Sequence, residues 1–312
     1  MSTEARIGSA RCGALTSPGG RESGLEVQAF AKLNLTLEVL GRRQDGYHQV
    51  RTILQTIDLA DVLDISPASS LRVECHDRSL QGEANLVWKA AQALAQSADH
   101  PPGAHIYIQK RIPVGMGLGG GSSDAAAALL VLNQLWGLGL SIQELAVVAA
   151  TLGSDVAFFL TGGTALGEGR GEIIEPLKPL PSLPVTLICP GYTIPNKTST
   201  MYSMLTPAHY SDGGVTRRMI QELVGGAFAP DLMYNVFEAV AWRAFPELSW
   251  LYQRSGGPTS DRLHLCGAGP AWFILPSSED EFRRLSDALQ PYAVGVYLVN
   301  TLTPGAMPGA GC

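Results

Sequence analysis

Lysine is scarce in this chain: only 5 of the 22 basic residues are Lys, in 312 residues. Charge as a whole is thin. Asp, Glu, Lys and Arg make up 16% of the sequence, against roughly 25% in an average globular chain. The net charge is −6, which argues against a general nucleic-acid or membrane-surface binder, since such a protein carries a basic face. Cysteine is sparse too. Cys12, Cys75, Cys189, Cys266 and Cys312 are an odd number, widely scattered and without a CxxC pair. That argues against a disulfide framework and a zinc site and points to a reducing compartment. The apolar runs, such as AAAALLVL at 125–132, fall far short of the roughly 18 residues that span a bilayer. No basic N-terminal region leads into a hydrophobic stretch, so no secretory signal is expected. The reading is a cytoplasmic protein with no nucleic acid and no membrane among its partners.

What is present is enough for a large core. Apolar residues reach 46%, and the length predicts two domains. Residues 1–26 and the last dozen lack periodicity and read as disordered ends. From Val27 to Leu40 apolar residues alternate, with Lys32, Asn34, Thr36 and Glu38 on the other face and Phe30 the exception; the pattern predicts a half-buried strand. A turn at Asp45-Gly46 and a second strand from Arg51 to about Ile65 follow. Helices are predicted at 85–96, at 122–136 with Ser122 or Ser123 as cap, and from Ser141 to Gly153, opened by the capping box Ser141-Ile-Gln-Glu144. Strand 106–114 precedes the second of these. The four prolines of EPLKPLPSLP at 175–184 predict a domain junction. Beyond it come strand 185–189, helices near 215–225 and 231–245, strands in RLHLC and AWFIL, and a helix near 279–289.

The segment PVGMGLGGGSSDAAA, Pro113 to Ala127, carries the strongest chemical signal. Glycines crowd the passage from a strand into a helix, so bare backbone N–H groups and the helix N-terminus can meet an anion. A phosphate is the natural guest. Walker A chemistry would need Gly-Lys-Ser/Thr, which the segment lacks. Gly115, Gly117 and Gly120 match GxGxxG, but a dinucleotide fold would continue with a second strand, and here another helix follows Gly137-Leu-Gly139. A Gly/Ser-rich kinase loop remains.

That loop resembles the nucleotide loop of the GHMP small-molecule kinases. The flanking segments AKLNLTLEVLGRRQDGYH (31–48), NLV (85–87), KRIPVGMGLGGGSSDAA (110–126), LGSDVAFFLTGGTALGEGRGE (152–172) and CGAGP (266–270) narrow the resemblance to one branch. This is the family of kinases that act on 4-diphosphocytidyl-2-C-methyl-D-erythritol in the non-mevalonate isoprenoid route. The resemblance implies an α+β two-domain fold, with a nucleotide-binding N-terminal domain at 27–177 and a smaller C-terminal α+β domain at 178–302. It implies ATP and Mg²⁺, with metal ligands unassigned, and a small-molecule substrate that is a cytidine diphosphate-linked methylerythritol. Homoserine and mevalonate kinases, or a silent nucleotide-binding relative, are the alternatives; the DGYH segment argues against the first two, whose substrates carry no cytosine.

Site residues carry over from the same resemblance. Lys32 and Asp155 correspond to the catalytic pair, although alone they read as a solvated strand charge and a first-turn helix acid. Pro113, Val114, Gly115, Met116, Gly117, Leu118, Gly119, Gly120, Gly121, Ser122 and Ser123 correspond to the ATP loop, with Asn85 and Lys110 nearby. Asn34, Tyr47, His48, Tyr202 and the backbone of Gly267 and Gly269 correspond to the substrate site. There Tyr47 would pack on the cytosine, His48 would hydrogen-bond it, and Tyr202 would close a sandwich. Cys266 stands where the family places Ser or Thr, Asn235 lacks the Asp often found after it, and Met116 is bulkier than the usual loop residue.

Overall fold

One strand holds the molecule together. In the computed structural model, which describes residues 24–191, 194–245, 262–276, 278–292 and 294–303, β1 (Leu25–Arg42) runs for 18 residues. The expected terminal extensions lie almost wholly outside the described residues. Along β1, Ala29, Leu33, Leu35 and Val39 enter four successive apolar clusters. The other face is buried as well: Lys32, Asn34, Thr36 and Glu38 are each at most 4% exposed. The expected half-open strand is therefore covered on both sides.

An Asp45-Gly46 turn, with Gly46 at φ +86°, leads from β1 into β2 (His48–Pro67). The pair is antiparallel and bulged at Phe30/Ala31 and at Asn34/Thr36. Bulges re-aim side chains, and these two bracket Lys32 and Asn34. The first sheet adds β3 (Arg72–Cys75), β4 (Ala104–Gln109), β5 (Thr164–Glu168) and β6 (Ile173–Pro176). Helices α1 (Leu86–Ser97), α2 (Gly120–Leu135), α3 (Ile142–Leu152) and α4 (Val156–Phe159) share one core with it. Leu94, Leu129, Phe158, Leu63 and Ile106 are central there, each fully buried. Truncating one such side chain to Ala costs about 2–5 kcal/mol. The capping box at Ser141 forms as predicted, and Gly153 ends α3.

A second, antiparallel sheet follows the proline-rich segment, in the order β11-β7-β10-β9. Its strands are β7 (Pro184–Cys189), β9 (His264–Leu265), β10 (Trp272–Ile274) and β11 (Gly295–Asn300). With it come α5 (Lys197–Ser203), α6 (Gly214–Gly225), α7 (Glu238–Ala244) and α8 (Glu279–Leu289). Val185, Leu187 and Phe273 meet Ala31, Leu33 and Ile57 between the sheets. One element crosses over. Strand β8 (Tyr234–Asn235) joins the first sheet, parallel to β1.

Three boundaries differ from expectation, each for a physical reason. Strand β4 stops at Gln109, because the amides of Arg111 and Ile112 turn to the Asp61 carboxylate and Pro113 has no amide to offer. The helix expected at 231–245 begins only at Glu238, since residues 234–235 pair with β1. Helix α2 starts at Gly120, capped by left-handed Gly119 (φ +74°), so Ser122 and Ser123 lie inside its first turns. No described helix is long and apolar enough to cross a membrane.

Candidate active site

The glycine loop is shaped by close approach more than by flexibility. A Cβ on Gly117 would lie 1.9 Å from the carbonyl oxygen of Cys266, and one on Gly119 would lie 2.7 Å from the Phe159 ring and 3.1 Å from Lys32 Cγ. Both glycines have positive φ, where L side chains are strained. The loop is thus pressed between the turn after β9 and β1, and the amide of Lys32 donates to the Leu118 carbonyl at 3.0 Å. No side chain caps the start of α2, which leaves its first amides available to an anion.

Beside the loop, Lys32 Nζ lies 3.4 Å from Asp155 Oδ2. The ammonium donates to Asn34 Oδ1 at 2.7 Å, Asn34 Nδ2 donates to Thr52 Oγ1 at 2.8 Å, and Thr52 Oγ1 donates to the Thr36 carbonyl at 2.6 Å. This chain fixes the lysine in one rotamer. Exposure is divided unequally: the Lys32 side chain is 5% exposed and that of Asp155 38%. The carboxylate is the partner that an incoming hydroxyl can reach.

Lys110 is no surface residue. Its ammonium sits between Asp61 and Asp124, 2.6 Å from the latter and closer still to the former. Burial pushes the Lys110 ammonium down, but the two carboxylates outweigh it and the net shift is upward. Burial likewise pushes Asp124 up to about 7, against the pull of Lys110. This triad ties β2, the end of β4 and α2 together directly beneath the loop, where a Cβ on Gly120 would meet Lys110 Nζ at 3.3 Å. Asn85 caps α1, accepting from the Val87 amide and donating to the Leu80 carbonyl.

The aromatic residues also converge, in an arrangement the sequence did not disclose. His48 stacks on Tyr202 at 4.7 Å, Tyr210 meets the imidazole edge-on at 6.1 Å, and Phe237 supports Tyr202 at 4.9 Å. Tyr47 makes no ring contact with Tyr202; the Arg170 guanidinium lies over its face at 4.9 Å. Tyr202 is thus stacked with His48, and the Tyr47 ring is exposed. Burial lowers the His48 pKa, aided by the charge of Arg42, so the imidazole is neutral at pH 7. Burial pushes the Tyr202 phenol up to about 12.

A single cleft of about 1510 Å³ gathers these groups, more than the roughly 300–1,000 Å³ of a one-ligand pocket. Its lining includes Lys32, Asn34, Tyr47, His48, Asn85, Lys110, residues 113–122, Asp155, Tyr202 and Gly267. Ser123 and Gly269 are not part of that lining. Ser123 is buried within α2, and the Gly269 amide is spent on the Cys266 carbonyl at 2.8 Å. Cys266 is fully buried, and burial holds its thiol well above the usual range. Sequence reasoning missed three contributors. Asp61 holds Lys110, and Asn235 donates to the carbonyls of Leu265 and Gly267 at 2.9 and 2.8 Å. Lys197 lines the cleft from the start of α5. Only Asn235, an Asn before a helical pattern, carried any local signal. Among the described residues no group of three or more His, Cys, Asp or Glu could hold a metal ion.

A glycine loop running into a helix beside a lysine–aspartate pair, with space for two ligands, defines a small-molecule kinase. Residues 85–163 match the family model described as the GHMP kinases N terminal domain. A 4-diphosphocytidyl-2-C-methyl-D-erythritol kinase of Dehalococcoides mccartyi is 38% identical over 284 residues, covering 90% of this chain and 99% of its own. The protein of that name from Bacillus cereus is 39% identical, covering 89% and 97%. A crystal structure of 4-(cytidine 5'-diphospho)-2C-methyl-D-erythritol kinase superposes with a TM-score of 0.73 at 35% identity, covering 89% of this chain and 99% of that one. The chain belongs to the 4-diphosphocytidyl-2-C-methyl-D-erythritol kinase family.

Proposed function

We propose that this chain transfers the γ-phosphate of ATP to the 2-hydroxyl of 4-diphosphocytidyl-2-C-methyl-D-erythritol. The observation that carries the reading is one cleft in which the glycine loop, the Lys32–Asp155 pair and the His48–Tyr202 stack face common space. On this reading residues 27–177 form the nucleotide-binding domain and 178–302 the smaller one, which is supported by the break between the sheets at 176–184.

Phosphoryl transfer to an alcohol is mostly positioning and charge stabilisation. Loop residues 113–122, with the first amides of α2, cradle the phosphates of ATP; Asn85 and Lys110 hold the loop's surroundings in shape. Asp155 orients the substrate hydroxyl and accepts its proton late, as the new P–O bond forms. Lys32, 3.4 Å from that carboxylate, holds it in place and faces the negative charge gathering on the transferred group. Mg²⁺ supplies neutralisation of the polyphosphate when bound. The donor set suits a metal that arrives on the nucleotide, since Mg²⁺ keeps several waters and is seldom held in an all-protein cage. Ser122 and Asp124, whose Oδ1 has no partner among the described residues, are the cleft-lining oxygen donors that would reach it.

His48, neutral and already stacked, hydrogen-bonds the cytosine edge, with Tyr47 available to pack on the ring and Asn34 and Gly267 beside the sugar-phosphate portion. His48→Ala is expected to raise KM for the cytidine substrate about 10–100-fold, the equivalent of one hydrogen bond plus a ring contact, with KM for ATP unchanged. An unchanged substrate KM would remove His48 from the base site. The activity itself is tested by coupled ADP release with ATP and Mg²⁺, offering the cytidine compound, homoserine and mevalonate in parallel. Turnover with the cytidine compound alone is expected. Turnover with another acceptor, or nucleotide binding with no turnover, overturns the reading.

A further inference from the structure

The cleft contains more positive charge than its carboxylates balance. Lys110 is matched by Asp61 and Asp124, and Arg170 leans on Glu172 at 3.6 Å. Lys32 takes the one carboxylate at the reacting centre, Asp155. Lys197, half-buried at the first position of α5, also lines this cleft. Among the described residues it has neither a hydrogen bond nor an ion pair. A desolvated ammonium without a partner is costly, and a second lysine in the field of the first raises that cost. Asn196 just before it is held at φ +53°, a conformation that costs energy in a non-glycine residue and clusters at functional sites.

We propose that Lys197 is a further catalytic residue, whose ammonium donates to the non-bridging oxygens of the γ-phosphoryl group during transfer. This rests on the kinase reading above. The bond from the γ-phosphorus to the β–γ bridging oxygen breaks, and a bond from the acceptor oxygen to the γ-phosphorus forms. The hydroxyl proton passes to Asp155, ADP leaves, and Lys197 stays protonated throughout. A group in this role acts on the charge of the transition state and so on kcat. The titratable groups that bear on its ammonium are Lys32 on β1, Asp155 before α4 and the Cys266 thiol after β9. Burial, followed by the charge of Lys32, lowers its pKa to about 8, against weaker upward pulls from Cys266 and Asp155. The active, protonated form is therefore complete below that pH in the free enzyme and is lost as pH rises through it.

The test is steady-state kinetics of the full chain, using the acceptor that the unmodified enzyme phosphorylates. An acceptor other than the cytidine compound defeats the earlier reading but leaves the effect of this lysine measurable. Lys197→Met is expected to lower kcat about 100-fold with both KM values within threefold. Lys197→Arg should retain kcat within about tenfold and shift the alkaline limb of kcat/KM away from pH 8, because a guanidinium stays charged. A purely structural lysine would leave that limb in place. Unchanged kcat in Lys197→Met overturns the proposal, as does an unmoved limb in Lys197→Arg. So does a loss confined to KM of the cytidine substrate, which would put the ammonium on its diphosphate.

Discussion

Asp155→Asn is expected to reduce kcat about 1,000-fold, within the 10²–10⁴ range contributed by a positioned proton acceptor. The amide is nearly isosteric and still reaches Lys32, so the cleft keeps its shape. It cannot take the hydroxyl proton. With its side chain 38% exposed, Asp155 contributes little to stability, and the melting temperature should stay within about one degree. Nucleotide affinity should be unchanged or slightly tighter, since a negative charge near the phosphates has gone. Rapid-quench measurement of a single turnover separates the chemical step from product release. A variant that turns over at close to the normal rate would show that another group accepts the proton.

Lys110→Met produces the other large effect, and it falls on stability. The substitution leaves Asp61 and Asp124 facing each other where side-chain exposures are 0% and 4%. Removing one partner of a buried ion pair costs about 3–5 kcal/mol, because the remaining charge is stranded. Asp61 keeps its backbone donors, Arg111 and Ile112, so Asp124 is the group that takes up a proton. Its pKa, already near 7 in the intact protein, rises further without the ammonium. An acid whose folded pKa is raised is stabilising when protonated and loses that contribution as pH climbs through the folded value. The variant's deficit should therefore widen as pH rises above about 7. Urea titrations at pH 6 and pH 8.5 measure this directly; equal midpoints for variant and parent would refute it. Adding Asp124→Leu should recover much of the loss, a non-additivity that marks a coupled pair.

Local signals were legible in the sequence and distant pairings were not. The Ser141 capping box, the Asn85 helix start and the Asp45-Gly46 turn depend on neighbours within four residues, and all three form. The glycine loop was readable because few other local structures need so many bare amides before a helix. Lys32 was misjudged in isolation: alternation in β1 described an open polar face, whereas the glycine loop and the Gly267 turn cover Lys32 and α6 covers Thr36 and Glu38. Residues 215–216 of α6 bind Glu38 through their amides, and nothing near position 38 announces that. The Lys110 triad joins positions 61, 110 and 124, which no periodicity connects. Lys197 lies in NKTST, a segment with the composition of an ordinary loop. Ser122 resembled a cap because serine usually is one; Gly119, free to adopt positive φ, began the helix earlier.

The contact of Gly117 with the Cys266 carbonyl has a consequence for how the enzyme comes into being. The glycine loop takes its shape from a turn about 150 residues downstream, and β8, also late in the chain, borders the strand that carries Lys32. A ribosome releases the chain from the amino end, so most of the protein is synthesised before the groups that shape the site exist. Chains truncated before residue 264 should accumulate without nucleotide affinity, however well α1 to α4 pack. Nucleotide is then expected to be a ligand of the finished molecule alone, and a nucleotide resin should sort completed chains from abandoned ones.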